Sequence, residues 1–159
     1  MILVSMCLVG VNCNYKGESK PNEKVIQLLK NGKAIPICPE QLGGLTTPRS
    51  GARIIDGNGE SVLDNKSRVI TDNGQDVTEQ YIKGAYETLK LCKLLNIKVV
   101  ILKEGSPSCG SKKTQGGKYK RETVEGLGVT AALLKRNGIK VYSEEDLERP
   151  NVWKEINEM

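Results

Sequence analysis

Short apolar runs alternate along this chain with segments whose apolar residues recur every three or four positions. Ile2–Met6 has the composition of a strand buried on both faces. After a polar stretch, Val11–Pro21, the segment Asn22–Lys30 sets Val25, Ile26, Leu28 and Leu29 on one side of a helix that stops at Asn31-Gly32. Ala34–Ile37 predicts a second strand, and Pro36 argues against a central place for it because proline cannot donate to a ladder. Thr78–Leu95 predicts a long helix with Tyr81, Ala85, Leu89 and Cys92 on its inward stripe, and Asp76 with Glu79 has capping-box spacing. Lys98–Leu102 is the strongest strand signal. A helix from Gly126-Leu127-Gly128 to Arg136, stopped by Asn137-Gly138, and a last strand, Ile139–Tyr142, come after it. Ser143 with Asp146 suits the cap of a short terminal helix.

Three stretches interrupt this alternation. Cys38-Pro39-Glu40 through Arg49 predicts a loop. Ala52–Thr71 predicts a β-hairpin excursion in which Ile54-Ile55 and Val69-Ile70 pair across turn chemistry at Asp56-Gly57-Asn58-Gly59. Lys103–Glu125 is expected to be a long loop rich in Gly, Ser and Lys. The whole pattern predicts an α/β fold, a small Rossmann-like parallel sheet of about four strands flanked by helices, as a single domain over residues 1–159.

Cysteine placement gives that fold a chemical meaning. Cys7, Cys38 and Cys109 each end or closely follow a predicted strand, and Cys13 lies in the loop after the first. The carboxyl ends of parallel strands share one edge of a sheet, where ligands bind. Thiols distant in sequence are therefore expected to converge on a metal, a cluster or a thiol active site. Gly10, Pro39, Gly43-Gly44, Pro107 and Gly110 lie beside them, and such residues allow close backbone approach or hold a loop in one shape. Cys92, on the inward stripe of the long helix, is expected to be a small core hydrophobe.

Composition removes several alternatives. The 159 residues include no His, which excludes Ser-His and Cys-His catalytic pairs, His-bearing zinc sites and haem held by His. Three thiolates suit an iron–sulfur cluster, with zinc on the same thiolates as the competing choice. A net charge of +5 from 24 basic and 19 acidic residues permits an anionic partner without demanding one. With no Phe and one Trp, an aromatic platform for nucleic-acid bases is not expected. The apolar N-terminal run has no basic region before it and is too short to span a bilayer, so a cytoplasmic, reducing setting with free or metal-bound thiols and no membrane partner is expected. Glu40, near Cys38, is placed to move protons. Arg49 has the planar fork for a carboxylate or phosphate. Ser106 and Ser108 flank Cys109. Lys112, Lys113, Lys118, Lys120 and Arg121 suggest an anion-attracting flap, and Gly126-x-Gly128 before a helix suggests an anion site.

Ser5-x-Cys7-Leu8-x-Gly10-x-x-Cys13, Cys38-Pro39-Glu40 with Gly43-Gly44-Leu45 and Pro48-Arg49, and Ser106-Pro107-Ser108-Cys109-Gly110 together carry a resemblance. So does the ending Gly128-Val129-Thr130-Ala131 through Gly138-Ile139 to Ser143-Glu144-Glu145. The chain resembles, from about residue 2 to 148, a bacterial family long known as a domain of unknown function whose members are thiouracil desulfidases. The resemblance implies a [4Fe-4S] cluster on Cys7, Cys38 and Cys109, with Cys13 as the alternative ligand, and catalytic roles for Glu40 and Ser106. Ser108, Arg49 and Tyr15 are the expected substrate contacts. The implied reaction is hydrolytic: the sulfur of a small thiolated nucleobase such as 2-thiouracil is taken at the open iron and replaced by oxygen from water. Asn14-Tyr15-Lys16-Gly17 departs from the family's Arg-Tyr-Asp-Gly after Cys13, and the lysine-rich flap is also unusual; both bear on substrate choice more than on the cluster. The competing expectations are a non-catalytic zinc or iron module, a desulfidase acting on thiolated RNA bases, and a thiol redox enzyme using Cys7 and Cys13.

Overall fold

A computed structural model describes residues 1–159. In chain order its elements are β1 (Ile2–Ser5), α1 (Glu23–Lys30), β2 (Ala34–Ile37), α2 (Pro39–Leu42), β3 (Ala52–Ile55), α3 (Gly59–Leu63), β4 (Arg68–Thr71), α4 (Thr78–Leu94), β5 (Val99–Leu102), β6 (Lys113–Gly116), β7 (Glu122–Glu125), α5 (Val129–Arg136), β8 (Lys140–Ser143) and α6 (Pro150–Glu158). Short 3₁₀ turns occupy Met6–Val9 and Glu145–Glu148.

The centre is a parallel sheet in the order β2-β1-β5-β8, with Leu3 opposite Ile35 and Val100, and Val100 opposite Val141. Every residue of β1 and β5 is buried, as both faces of a parallel sheet are covered by helices. Leu3, Val100 and Leu102 point toward α4 and α5, where they meet Leu89 and Leu134 in one core. Ile2, Val4, Val99 and Ile101 point the other way, toward Val25 and Leu28 of α1 and Val152 and Ile156 of α6. Pro36 sits in β2, the edge strand, where its missing N–H costs no ladder bond.

Several local expectations are revised. Residues Met6–Val9 leave the strand for a 3₁₀ turn that ends at Gly10 with φ +94°, so Cys7 rides on the turn and not on the strand end. Pro39–Leu42 is a one-turn helix where the sequence predicts a loop; Cys38 is its N-cap and Pro39 occupies the first helical position. β3 and β4 do pair, Ile54 opposite Val69, but α3 intervenes between them. Asn58 accepts from the N–H groups of Glu60 and Ser61 while the Ser61 hydroxyl accepts from the Asn58 N–H, so the predicted turn residues start a helix. Asp76 accepts from the Thr78 N–H at 3.0 Å and pairs with Arg68 at 2.9 Å, and Glu79 completes no box. The stretch after β5 contains the antiparallel pair β6–β7.

The N-terminus of α5 is closed to anions. Its first N–H groups, on Val129, Thr130 and Ala131, donate to the carbonyls of Pro107 and Ser108 at 2.8–3.2 Å. The helix thereby grips the loop that carries Cys109. On the other side of the site, α2 lies backbone to backbone on α4. A Cβ on Gly43 would collide with the Gln80 carbonyl, and one on Gly84 with the Pro39 carbonyl. Gly84 lies inside a 17-residue helix, where alanine is intrinsically better by about 1 kcal/mol. Gly84→Ala is nevertheless expected to lower stability by about 1–3 kcal/mol, because it forces α2 off α4. Urea denaturation of the two proteins checks this, and a stabilised variant would contradict the contact.

Candidate metal centre

The carboxyl ends of β1, β2 and β5 open into one cavity of about 260 Å³, lined by Cys7, Cys13, Cys38 and Cys109 together with Glu40, Ser106, Arg49 and Tyr15. Cys7 comes from the turn after β1, and its carbonyl accepts the Lys20 N–H at 2.9 Å. Cys38 follows β2 directly, and Glu40 stands in the first turn of the helix that Cys38 caps. Cys13 belongs to the loop after β1. Its carbonyl takes Arg49 Nη1 at 3.1 Å and Cys38 Sγ at 3.9 Å. The Ser5 hydroxyl accepts the Lys103 N–H at 2.9 Å and ties the ends of β1 and β5 together beneath the site.

Cys109 and Ser106 lie on a loop organised by Glu104, a buried carboxylate that sequence reasoning passed over. One Glu104 oxygen accepts the N–H groups of Ser111, Lys112 and Lys113 at 2.9–3.0 Å, and the other takes the Ser111 hydroxyl at 2.6 Å. Burial opposes its charge, yet the Ser111 hydroxyl and these N–H groups prevail and hold the carboxyl below its usual range. Ser106 Oγ accepts from the N–H groups of Ser108 and Cys109, both at 3.1 Å, which leaves its proton free to donate. Ser108 is not brought into the cavity. Its hydroxyl is buried against Thr130 Oγ1 at 2.8 Å. Tyr81, expected on the inward stripe of α4, is buried and also lines the cavity. Cys92 stays in the core of α4, away from the site, where burial pushes its thiol up to about 11.

Cys13, Cys38 and Cys109 resist ionisation as they stand. Burial, then the negative charges of Glu40 and Cys38, push Cys109 well up. Contact with Cys13, burial and Glu40 do the same to Cys38. A bond from Cys38 favours the Cys13 thiolate, but the bond with Cys7, burial and the charges of Cys7 and Glu40 outweigh it, and Cys13 is pushed up to about 11. A cation delivered to the cavity removes this penalty, since it stabilises thiolates and releases their protons. All five cysteines are free. No three Cys, Asp or Glu groups stand close enough to hold a single metal ion. The donor set that meets in the cavity, four thiols and no imidazole, suits an iron–sulfur cluster, in which each thiolate takes a different iron.

Most of the flap cations are occupied within the protein. Lys112 bonds Asp146 at 2.8 Å, Lys113 lies 3.8 Å from Glu145, and Arg121 bonds Asp72 at 3.0 Å. The Arg121 guanidinium also lies 4.7 Å from the centre of the Tyr15 ring at the cavity wall. Lys118 and Lys120 remain exposed at the far end of the β6–β7 pair.

Known proteins match this chain, in sequence and in fold, over nearly its whole length. A relative from Bacillus subtilis (strain 168), the uncharacterized protein YbbK, is 49% identical over 147 residues, which is 92% of this chain and 97% of the relative. A solved structure, described as the [4Fe-4S]-dependent thiouracil desulfidase TudS, superimposes with a TM-score of 0.83 at 39% identity and covers 98% of this chain and 97% of its own. The sequence model of the family described as 2-thiouracil desulfurase matches residues 2–146, and this chain belongs to that family.

Proposed function

We propose that this protein is an iron–sulfur-dependent desulfidase that converts a small thiolated nucleobase, such as 2-thiouracil, to its oxygen counterpart. The observation that carries this reading is the meeting of thiols from the segments just beyond three parallel strands with Glu40 and Ser106 in one cavity. Cys7, Cys38 and Cys109 would hold the [4Fe-4S] cluster in this reading, each from the segment that follows a different strand, and Cys13 stands beside them on a loop. With three protein ligands, a bound cluster supplies an open iron as Lewis acid for the thiocarbonyl sulfur.

The chain's own residues supply the rest. Glu40 Oε2 is bonded to Arg49 at 3.1 Å, and its second oxygen is the free acceptor at the cavity wall. That oxygen takes a proton from water as the water oxygen bonds to the thiocarbonyl carbon. The Ser106 proton is directed away from the two N–H donors that its oxygen accepts, and it hydrogen-bonds the ring of the substrate. When the C–S bond breaks, Glu40 returns the proton toward the sulfur side. Water and the thiobase give the oxo base, hydrosulfide and one proton, which leaves to solvent as the new C–OH becomes the carbonyl, with no external electron donor. Free thiols throughout the chain suit a reducing, cytoplasmic setting. No helix is long and apolar enough to cross a membrane.

Glu40→Gln is expected to lower kcat for sulfide release from 2-thiouracil by about 10²–10⁴-fold with the cluster absorption unchanged. Full activity in that variant would remove Glu40 from the reaction. Cys7→Ser, Cys38→Ser and Cys109→Ser are each expected to abolish iron loading in anaerobic reconstitution, whereas Cys13→Ser keeps it. An iron-free Cys13→Ser protein, beside a loaded Cys7→Ser protein, would exchange the roles of these two residues.

A further inference from the structure

The Arg49 side chain is only 8% exposed and that of Glu40 12%. Between them runs a single contact, Nη2 to Oε2 at 3.1 Å. The other arm of the fork, Nη1, is shared among the Cys13 carbonyl at 3.1 Å, the Thr46 carbonyl at 3.2 Å and Thr47 Oγ1 at 3.1 Å. The Arg49 backbone N–H donates to the Tyr15 carbonyl at 2.9 Å. One guanidinium therefore joins three pieces of the site wall: the Cys13–Tyr15 loop, the Thr46–Thr47 turn and the carboxylate on α2. Both terminal nitrogens are thus committed to protein acceptors, and the guanidinium charge is matched by a protein carboxylate rather than left for a substrate anion.

The electrostatic surroundings give the arrangement a purpose. Glu40 lines the same cavity as four cysteines, whose sulfurs become negative when they bind iron. A carboxylate in that company is repelled toward solvent unless a fixed cation holds it. Arginine is such a cation because it stays charged in any protein environment, and its planar fork can hold acceptors from separate segments at once. Lysine offers a point charge on a flexible stem and cannot reproduce that geometry.

We propose that Arg49 is a positioning residue rather than a substrate contact: it clamps Glu40 by one oxygen, turns the other toward the reacting carbon, and keys that orientation to the backbone of the Cys13 loop. This rests on the reading of Glu40 as the proton carrier, and the test separates the two. Arg49→Met, Arg49→Lys and Arg49→Ala are reconstituted anaerobically, and each is assayed for iron, acid-labile sulfide and release of sulfide from 2-thiouracil. With the cluster loaded, Arg49→Met is expected to lose about 100-fold in kcat, the scale of a misplaced reacting group, with KM changed by less than about threefold. Arg49→Lys is expected to recover less than about one-tenth of the wild-type kcat. Free guanidinium ion at low millimolar concentration is expected to raise the kcat of Arg49→Ala about tenfold by refilling the fork's place, and urea at the same concentration is not. In a Glu40→Gln background, Arg49→Met is expected to add no further loss.

A raised KM with kcat intact would make Arg49 a substrate contact and overturn the proposal. So would near-wild-type kcat in Arg49→Met while Glu40→Gln is inactive. If neither Arg49→Met nor Arg49→Lys loads a cluster, Arg49 is a structural residue and the proposal fails as well. Full activity in Glu40→Gln defeats the underlying reading directly, whatever the Arg49 variants do.

Discussion

Four thiols and a carboxylate share one cavity, and charge in that cavity is the constraint on which the rest of the site depends. Sulfurs that bind a metal must be thiolates. Yet contact with Cys13 and burial push Cys38 toward the neutral form, burial does so to Cys109, and Glu40 adds to both. Two sources of positive charge answer this. One is the iron of a cluster, which stabilises the thiolates as they form. The other is Arg49, paired with the Glu40 carboxylate at 3.1 Å, which under the proposed mechanism keeps that carboxylate in place beside newly negative sulfur. In the absence of histidine, neither task falls to an imidazole that could change charge near neutral pH.

Holding the sulfurs at the right spread is a backbone problem. The sheet brings the ends of β1, β2 and β5 to one edge, but the thiols lie on the turns and loops just beyond each strand. Each of these segments is immobilised separately. Bare backbone contact at Gly43 and Gly84 seats α2 on α4 and so sets Cys38 and Glu40. The loop with Ser106 and Cys109 is held by the first N–H groups of α5 on one side and by the Glu104 carboxylate on the other. The Cys13 loop is tied through its carbonyl to Arg49. The groups proposed to react thus rest on hydrogen bonds made by neighbours rather than on their own contacts, which leaves Ser106 a free proton and Glu40 a free oxygen.

Much of this was legible from residue order. Apolar runs and helical stripes located the four parallel strands and the long helix, because burial on both faces and a 3.6-residue period leave strong signals. Pro36 marked an edge strand for a reason that needs no tertiary context. The convergence of Cys7, Cys13, Cys38 and Cys109 followed from strand ends sharing one sheet edge. Less visible were short elements whose stability is tertiary. The single turn at Pro39–Leu42 and the helix at Gly59–Leu63 are too brief for periodicity to register, although Asn58 and Ser61 carried the capping chemistry of the latter. The β6–β7 pair is polar enough to pass for a loop. Glu104 and Ser108 were beyond sequence reasoning in a different sense. Their residue types were visible, but whether a carboxylate or a hydroxyl faces the cavity or the protein depends on partners elsewhere in the chain, as with Ser108 and Thr130.

The most direct test is the metal content and spectrum of the protein purified and reconstituted without oxygen. A [4Fe-4S] site predicts a brown protein with about four irons and four acid-labile sulfides per chain, and an absorption or paramagnetic spectrum that changes when 2-thiouracil is added. A colourless protein that binds one zinc, contains no labile sulfide and shows no response to the thiobase would contradict the account at its centre.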